Sequence, residues 1–228
     1  MARFFKNNSV FLLFIIPAIL TSHGVPIGDQ GYIQEISGVK FAPFMYLGAK
    51  HMVTGYDHLL FLVGVIFFLY RLKDIAIYVS LFAVGHSSTL LFGVFTGIHI
   101  NAYIIDAIIG LSVVYKALDN LGFLKKWLGF QPNTKVSTFI FGLFHGFGLA
   151  AKIIEFDLDP VGLFSNLISF NIGVEIGQLL ALSTILIMIS YWRKRPSFLS
   201  YSVTTNIILM VLGFILAAQQ ILGYINSI

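Results

Sequence analysis

The sequence has no cysteine, few charges and no succession of short alternating apolar and polar segments. Without cysteine there are no disulfides, thiolate metal sites or cysteine nucleophiles, although the compartment stays open. Charged residues make up 11% of the 228 residues, against about 25% in a soluble domain. The missing alternation argues against a transmembrane barrel, whose strands read as segments of ~10 residues. What is abundant is apolar: 57% of the chain is hydrophobic and the mean hydropathy is +0.89. Several apolar runs approach the ~20 residues a helix needs to cross a bilayer. These features predict an all-α polytopic bundle with the lipid bilayer as its main surroundings and no room for a second domain. A net charge of +4 would suggest nucleic acid in a soluble protein. Here the basic residues fall in short loops, where they set topology, and no nucleic-acid partner is expected.

Residues 1–24 read as a cleavable signal peptide: Arg3 and Lys6 precede the short apolar core Val10–Leu20, and Ser22-His23-Gly24 offers small residues for cleavage. Residues 25–50 are expected to form a short exported segment, with an amphipathic lead-in at Phe41–Leu47. Six spans are expected after it, in 51–228, at about 51–70, 75–98, 100–118, 136–154, 161–190 and 203–224. Alternate loops carry Arg71, Lys73, Lys116, Lys125, Lys126, Lys135, Arg193, Lys194 and Arg195, whereas the other side of the mature chain has only Lys40, Lys50 and Lys152. The positive-inside rule puts the first group in the cytoplasm and both mature termini outside a bacterial-type inner membrane. A translocating signal peptide predicts the same orientation.

Ionisable groups at membrane depth are costly and mark function by default. The expected spans hold His51, Asp57 and His58, then His86, Asp106, His145 and Glu175. Asn171 and Gln178 lie four before and three after Glu175, which predicts one shared helical face. With ~1.5 Å of rise per residue, His58 and Asp106 fall about a third of the way in from the outer surface. His86, His145 and Glu175 fall near the middle. His51 and His58 are separated by ~10 Å along a regular helix and in that case do not share an ion. Asp57 points ~100° from His58 and is expected at the helix edge or orienting a histidine of another helix.

A single buried histidine or amide in a bundle is usually an interhelical hydrogen-bonding group, the role expected of His99. Asp106 alone divides evenly between pairing and function. Ligand-type residues at overlapping depth on several helices are harder to explain structurally. Imidazole with carboxylate suits zinc, nickel, cobalt, iron or copper, and copper(I) least, since thiolates and a methionine cluster are missing. Gly142, Gly146, Gly148, Gly173 and Gly177 are expected to let helices approach closely. Ser87, Ser88 and Thr89 are expected to bond the backbone or support His86.

These residues also resemble a known family. His51 with Gly55-Tyr56-Asp57-His58-Leu59-Leu60-Phe61, then His86-Ser87-Ser88-Thr89-Leu90, is similar to the first two signatures of the HupE/UreJ family. Phe141–Ala150 and Phe170–Gln178 resemble later ones. The likeness runs in order over about residues 45–190. It implies a six-span membrane protein after a cleavable signal, one of the hydrogenase and urease accessory proteins regarded as nickel or cobalt permeases. It implies metalloenzyme-maturation partners, and His51, Asp57, His58, His86, His145 and Glu175 as metal residues. Two departures stand out. Wider nickel and cobalt permeases have four residues between the histidine and the Asp-His pair, whereas five separate His51 from Asp57. Met52 stands where the family often has proline.

The leading expectation is thus a permease for a divalent transition metal such as nickel, cobalt or zinc. Its difficulty is that the inner halves of the spans look apolar, with no exit relay. The rival is an intramembrane metal-dependent hydrolase open to the outer side, with Glu175 or Asp106 as base and a lipid or membrane-embedded peptide as substrate. A non-catalytic metal sensor or assembly partner is a third reading. The ion and the oligomeric state are not encoded in any recognisable pattern.

Overall fold

The computed structural model describes residues 37–155 and 160–227; the signal-peptide expectation falls outside them. The described residues form eight helices and no strand: α1 (Phe41–Thr54), α2 (Tyr56–Ile66), α3 (Leu72–Thr96), α4 (Ala102–Asn120), α5 (Phe123–Leu128), α6 (Thr134–Ile154), α7 (Leu163–Arg193) and α8 (Ser197–Ser227). Among them α3, α6, α7 and α8 are long and apolar enough to cross a membrane, which makes this a multi-pass membrane protein. Their starts and ends have local causes. The Asn101 and Asn133 side chains accept hydrogen bonds from the first backbone N–H groups of α4 and α6. Gly97, with φ of 62°, ends α3 in a conformation that other residues seldom adopt.

Three helix pairs make up the bundle: α1 beside α7, α3 beside α6 and α4 beside α8. Small residues bring each pair into backbone contact. A Cβ on Gly110 would stand 2.6 Å from the Ala217 nitrogen, and one on Gly177 2.6 Å from the Ala49 carbonyl oxygen. In the first two pairs the partners run parallel; α4 and α8 are antiparallel, with Gly110 beside Gly213 and Tyr103 beside Gly223. Short helix α2 lies between the pairs. Its last carbonyls are held by Arg193, which donates to Phe67 (2.6 Å), Leu69 (2.7 Å) and Ile66. The connections bearing Arg71, Lys125 and Arg193 gather at one end of the bundle, here called the basic end.

The largest departure from the sequence expectation is the first span. A single helix over about 51–70 was expected, with Phe41–Leu47 as an exported lead-in. Helix instead begins at Phe41, runs along α7 and stops at Thr54; after Gly55 a second helix continues to Ile66. Phe44, Leu47, Gly48 and Met52 are buried against the bundle, with Ser169 bonding the Phe41 carbonyl oxygen. One face of this stretch packs on protein, while Phe41, Met45 and Tyr46 on the other are exposed. The count of six spans is therefore not reproduced helix for helix.

Candidate metal centre

Gly55 positions the centre. At this residue φ is −75° and ψ 99°, and helix geometry is interrupted. A Cβ here would stand 2.7 Å from His58 Nδ1 and 3.2 Å from Asp57 Oδ1, so glycine leaves the space the pair occupies. The interruption also folds His51 back towards His58, and their ring centroids are 5.1 Å apart. The ~10 Å separation of a regular helix therefore does not apply. Beginning the first span at residue 41 also moves His58 from the outer third to the level of His86 and His145.

His58 is the shared member of two overlapping groups. Ligand atoms of His51, His58 and His86 lie within 4.8 Å of one another, as do those of Asp57, His58 and His145. The His58 ring is 4.7 Å from that of His145 and 6.1 Å from that of His86. Four helices thus contribute: α1, α2, α3 and α6. Close approach of α3 to α6 depends on Gly146, where a Cβ would collide with the His86 carbonyl and the Thr89 hydroxyl. That proximity puts His86 and His145 on one wall.

The hydrogen bonds orient the rings. Asp57 Oδ1 is 2.8 Å from His58 Nδ1, and the Phe141 carbonyl oxygen is 2.7 Å from His145 Nδ1. When Nδ1–H donates in each case, Nε2 carries the lone pair, the arrangement common behind metal-binding imidazoles. Asp57 thus contacts its own neighbour, and its carboxylate also lies within 4.8 Å of a ring nitrogen of His145 on another helix. His86 is fully buried and, among the described residues, neither of its ring nitrogens has a hydrogen-bond partner; the same holds for His58 Nε2. Leaving a buried polar group unsatisfied costs about 1–3 kcal/mol. A divalent ion would relieve that cost, and a set of imidazoles with one carboxylate suits such an ion. The residues fit a metal.

Other expected residues lie elsewhere. Glu175 is exposed on α7 and belongs to neither group of metal-capable side chains. Asn171 and Gln178 are buried, so the shared face does not extend to Glu175. Successive helical positions turn ~100°: Asn171 and Gln178 are about 20° apart, but Glu175 is about 60° from Gln178. Asn171 accepts from Ser87, at 3.0 Å, and so steadies α3 next to His86. Gln178 is fully buried, with no hydrogen-bond partner for either amide atom among the described residues. Asp106 pairs with Lys152 at 2.6 Å, and Thr89 donates to the Leu143 carbonyl at 2.7 Å, tying α3 to α6. His99 is exposed at the end of α3.

The halves towards the basic end, which look apolar in sequence, carry buried polar groups. Lys116, read as part of a loop, is buried in the last turns of α4 and bonded to Asp119 at 2.5 Å. Asp119 also accepts from Gln131 and Thr134, and Asn120 bonds Asn206 and the Gly64 carbonyl. Charged residues after an apolar run look like a loop in sequence. Only their position opposite Gly64, where the Lys116 stem packs, shows them to be interior.

Among curated proteins and solved structures, nothing matches the chain. A family model described as HupE / UreJ protein matches residues 28–228, which include every residue of the centre and both helices of the interrupted span. The chain belongs to the HupE/UreJ family.

Proposed function

We propose that this membrane protein is a permease for a divalent transition-metal ion of the nickel, cobalt or zinc type, with the histidine centre as its binding site. The observation that carries the reading is the interruption at Gly55, which brings His51 beside His58. Interrupted helices at mid-depth are tolerated where they line a path or are enclosed by protein, and transporters place ion sites there. Imidazoles with one carboxylate can replace an ion's hydration shell without the grip of thiolates. Family membership supports the same reading.

In this proposal the basic end faces the cytoplasm, since nine Lys and Arg residues fall on its side of the sequence. The ion enters from the opposite face of a bacterial-type inner membrane and leaves towards metalloenzyme-maturation partners. Glu175, exposed on α7, serves outside the immediate coordination sphere. The hydrolase reading draws less support: one of its bases, Asp106, is neutralised by Lys152, and the other, Glu175, is exposed and belongs to neither group of metal-capable side chains.

Vesicles reconstituted with the full chain and loaded with a fluorescent chelator test the proposal. Saturable nickel, cobalt or zinc uptake is expected, reduced at least tenfold in His58→Ala and His86→Ala. Uptake no faster than in empty vesicles, for all three ions, would overturn it.

A further inference from the structure

We propose that Phe61, Phe82 and Phe141 form the barrier closing the histidine centre from the basic end, and that Lys116 and Asp119 form the first polar station beyond it. This inference rests on the permease reading for its purpose but not for its geometry. Each of three centre histidines has a phenylalanine one helical turn towards the basic end: Phe61 after His58 on α2, Phe82 before His86 on α3 and Phe141 before His145 on α6. Their rings meet, with centroids 5.7 Å apart for Phe61 and Phe82 and 5.6 Å for Phe61 and Phe141. They also touch the imidazoles directly: Phe82 is 4.9 Å and Phe61 5.8 Å from the His145 ring. Phe61 and Phe82 are fully buried and pack with Val65 and Val113 into one apolar layer.

Such a layer offers an ion nothing to replace its water, and narrow apolar constrictions gate by dewetting. On its far side the first charges are Lys116 and Asp119. The Lys116 stem passes Gly64 on the same short helix as Phe61, and the ammonium rests on Asp119. While the layer is closed, this ammonium supplies the carboxylate's counter-charge and repels a cation held above. When the rings part, an arriving divalent ion competes for Asp119 and displaces the ammonium. Arg193 clamps the end of α2, so the ring movement is confined to side chains and to the break at Gly55.

The absence of cysteine allows a single-thiol test in the full chain. Thr138→Cys and, separately, Ala117→Cys put a thiol at two buried positions on the basic side of the layer, one turn before Phe141 on α6 and one turn past Val113 on α4. A small cationic methanethiosulfonate is added from the face opposite the basic loops. Modification is expected to be at least tenfold faster with Phe61→Ala/Phe82→Ala than with both phenylalanines intact. If the alanine pair does not fold, Phe61→Leu/Phe82→Leu is used, with at least a threefold increase expected. Equal rates with and without the phenylalanines, at both thiols, would overturn the barrier. Faster modification in a protein that moves no metal would sink the permease reading and leave the barrier standing. For the station, Asp119→Asn is expected to slow nickel uptake at least fivefold without changing nickel affinity in detergent; unchanged uptake would remove it.

Discussion

His51 and His58 are seven residues apart in the chain, yet their rings stand 5.1 Å from each other because the helix is interrupted between them. The separation is one that two ligands of a single ion can bridge. The same break starts α2 with Asp57 and His58 in its first turn, where a carboxylate is favoured by the helix dipole. One backbone feature thus sets both the candidate ligand and the group bonded behind it.

Gly55→Ala should damage the centre without abolishing the fold. The φ of −75° is open to alanine, so the effect is steric, from a methyl 2.7 Å from His58 Nδ1. A stability loss of about 1–3 kcal/mol and nickel affinity at least tenfold weaker are expected, by thermal melting and isothermal titration in detergent. Affinity within twofold of the parent would show that His58 is not a ligand in this orientation.

Asp57→Asn keeps the side-chain volume but removes the charge beside His58. Loss of a partner behind a metal-binding histidine typically weakens affinity about 10–100-fold. Titration should find that range, with yield and melting temperature close to the parent's. Complete loss of binding would assign Asp57 a direct bond to the ion.

The Asp106–Lys152 pair is expected to matter for stability and not for metal. Removing one member of a buried pair costs on the order of 3 kcal/mol, less here because Lys152 keeps partial exposure at 17%. Asp106→Asn and Lys152→Met should each lower the melting temperature, and the double variant should recover most of the loss. A double variant that is stable but binds no nickel would contradict this assignment.

Arg193 should anchor the end of α2. Arg193→Met removes donors from the Phe67 and Leu69 carbonyls, at about 1–3 kcal/mol for each buried group left unsatisfied. Arg193→Lys should recover only part of this, since an ammonium lacks the planar fork. Thermal melting of the two variants decides it; equal and unperturbed melting would mean that water satisfies those carbonyls.

Much of this was readable from the sequence, and the failures share a cause. The spans expected at 75–98, 136–154 and 161–190 lie within three residues of α3, α6 and α7 at each end, because lipid demands a continuous apolar run. The last span, expected at 203–224, begins six residues earlier, at Ser197. The outer half of the first span went unread because Gly48, Ala49 and Lys50, on or beside the face that packs on α7, break the apolar run of α1. Lys116 and Asp119 were likewise taken for loop residues, since a buried ion pair leaves the same letters in the sequence as a solvated one.

The sequence by itself determined the environment, the helical class and the residue types of the centre. Sparse charge, long apolar runs and the missing alternation point to a helical bundle in lipid, and the histidines follow from reading each ionisable group within it. The tertiary structure decided which of those residues meet. His51 joins His58 and His86 because helix fails at Gly55, the helices bearing His86 and His145 come side by side because Gly146 lets two backbones touch, and Asp106 is taken by Lys152. Each depends on contacts between segments far apart in the chain or on a local interruption that periodicity cannot report, and side-chain spacing along one helix carries no record of either.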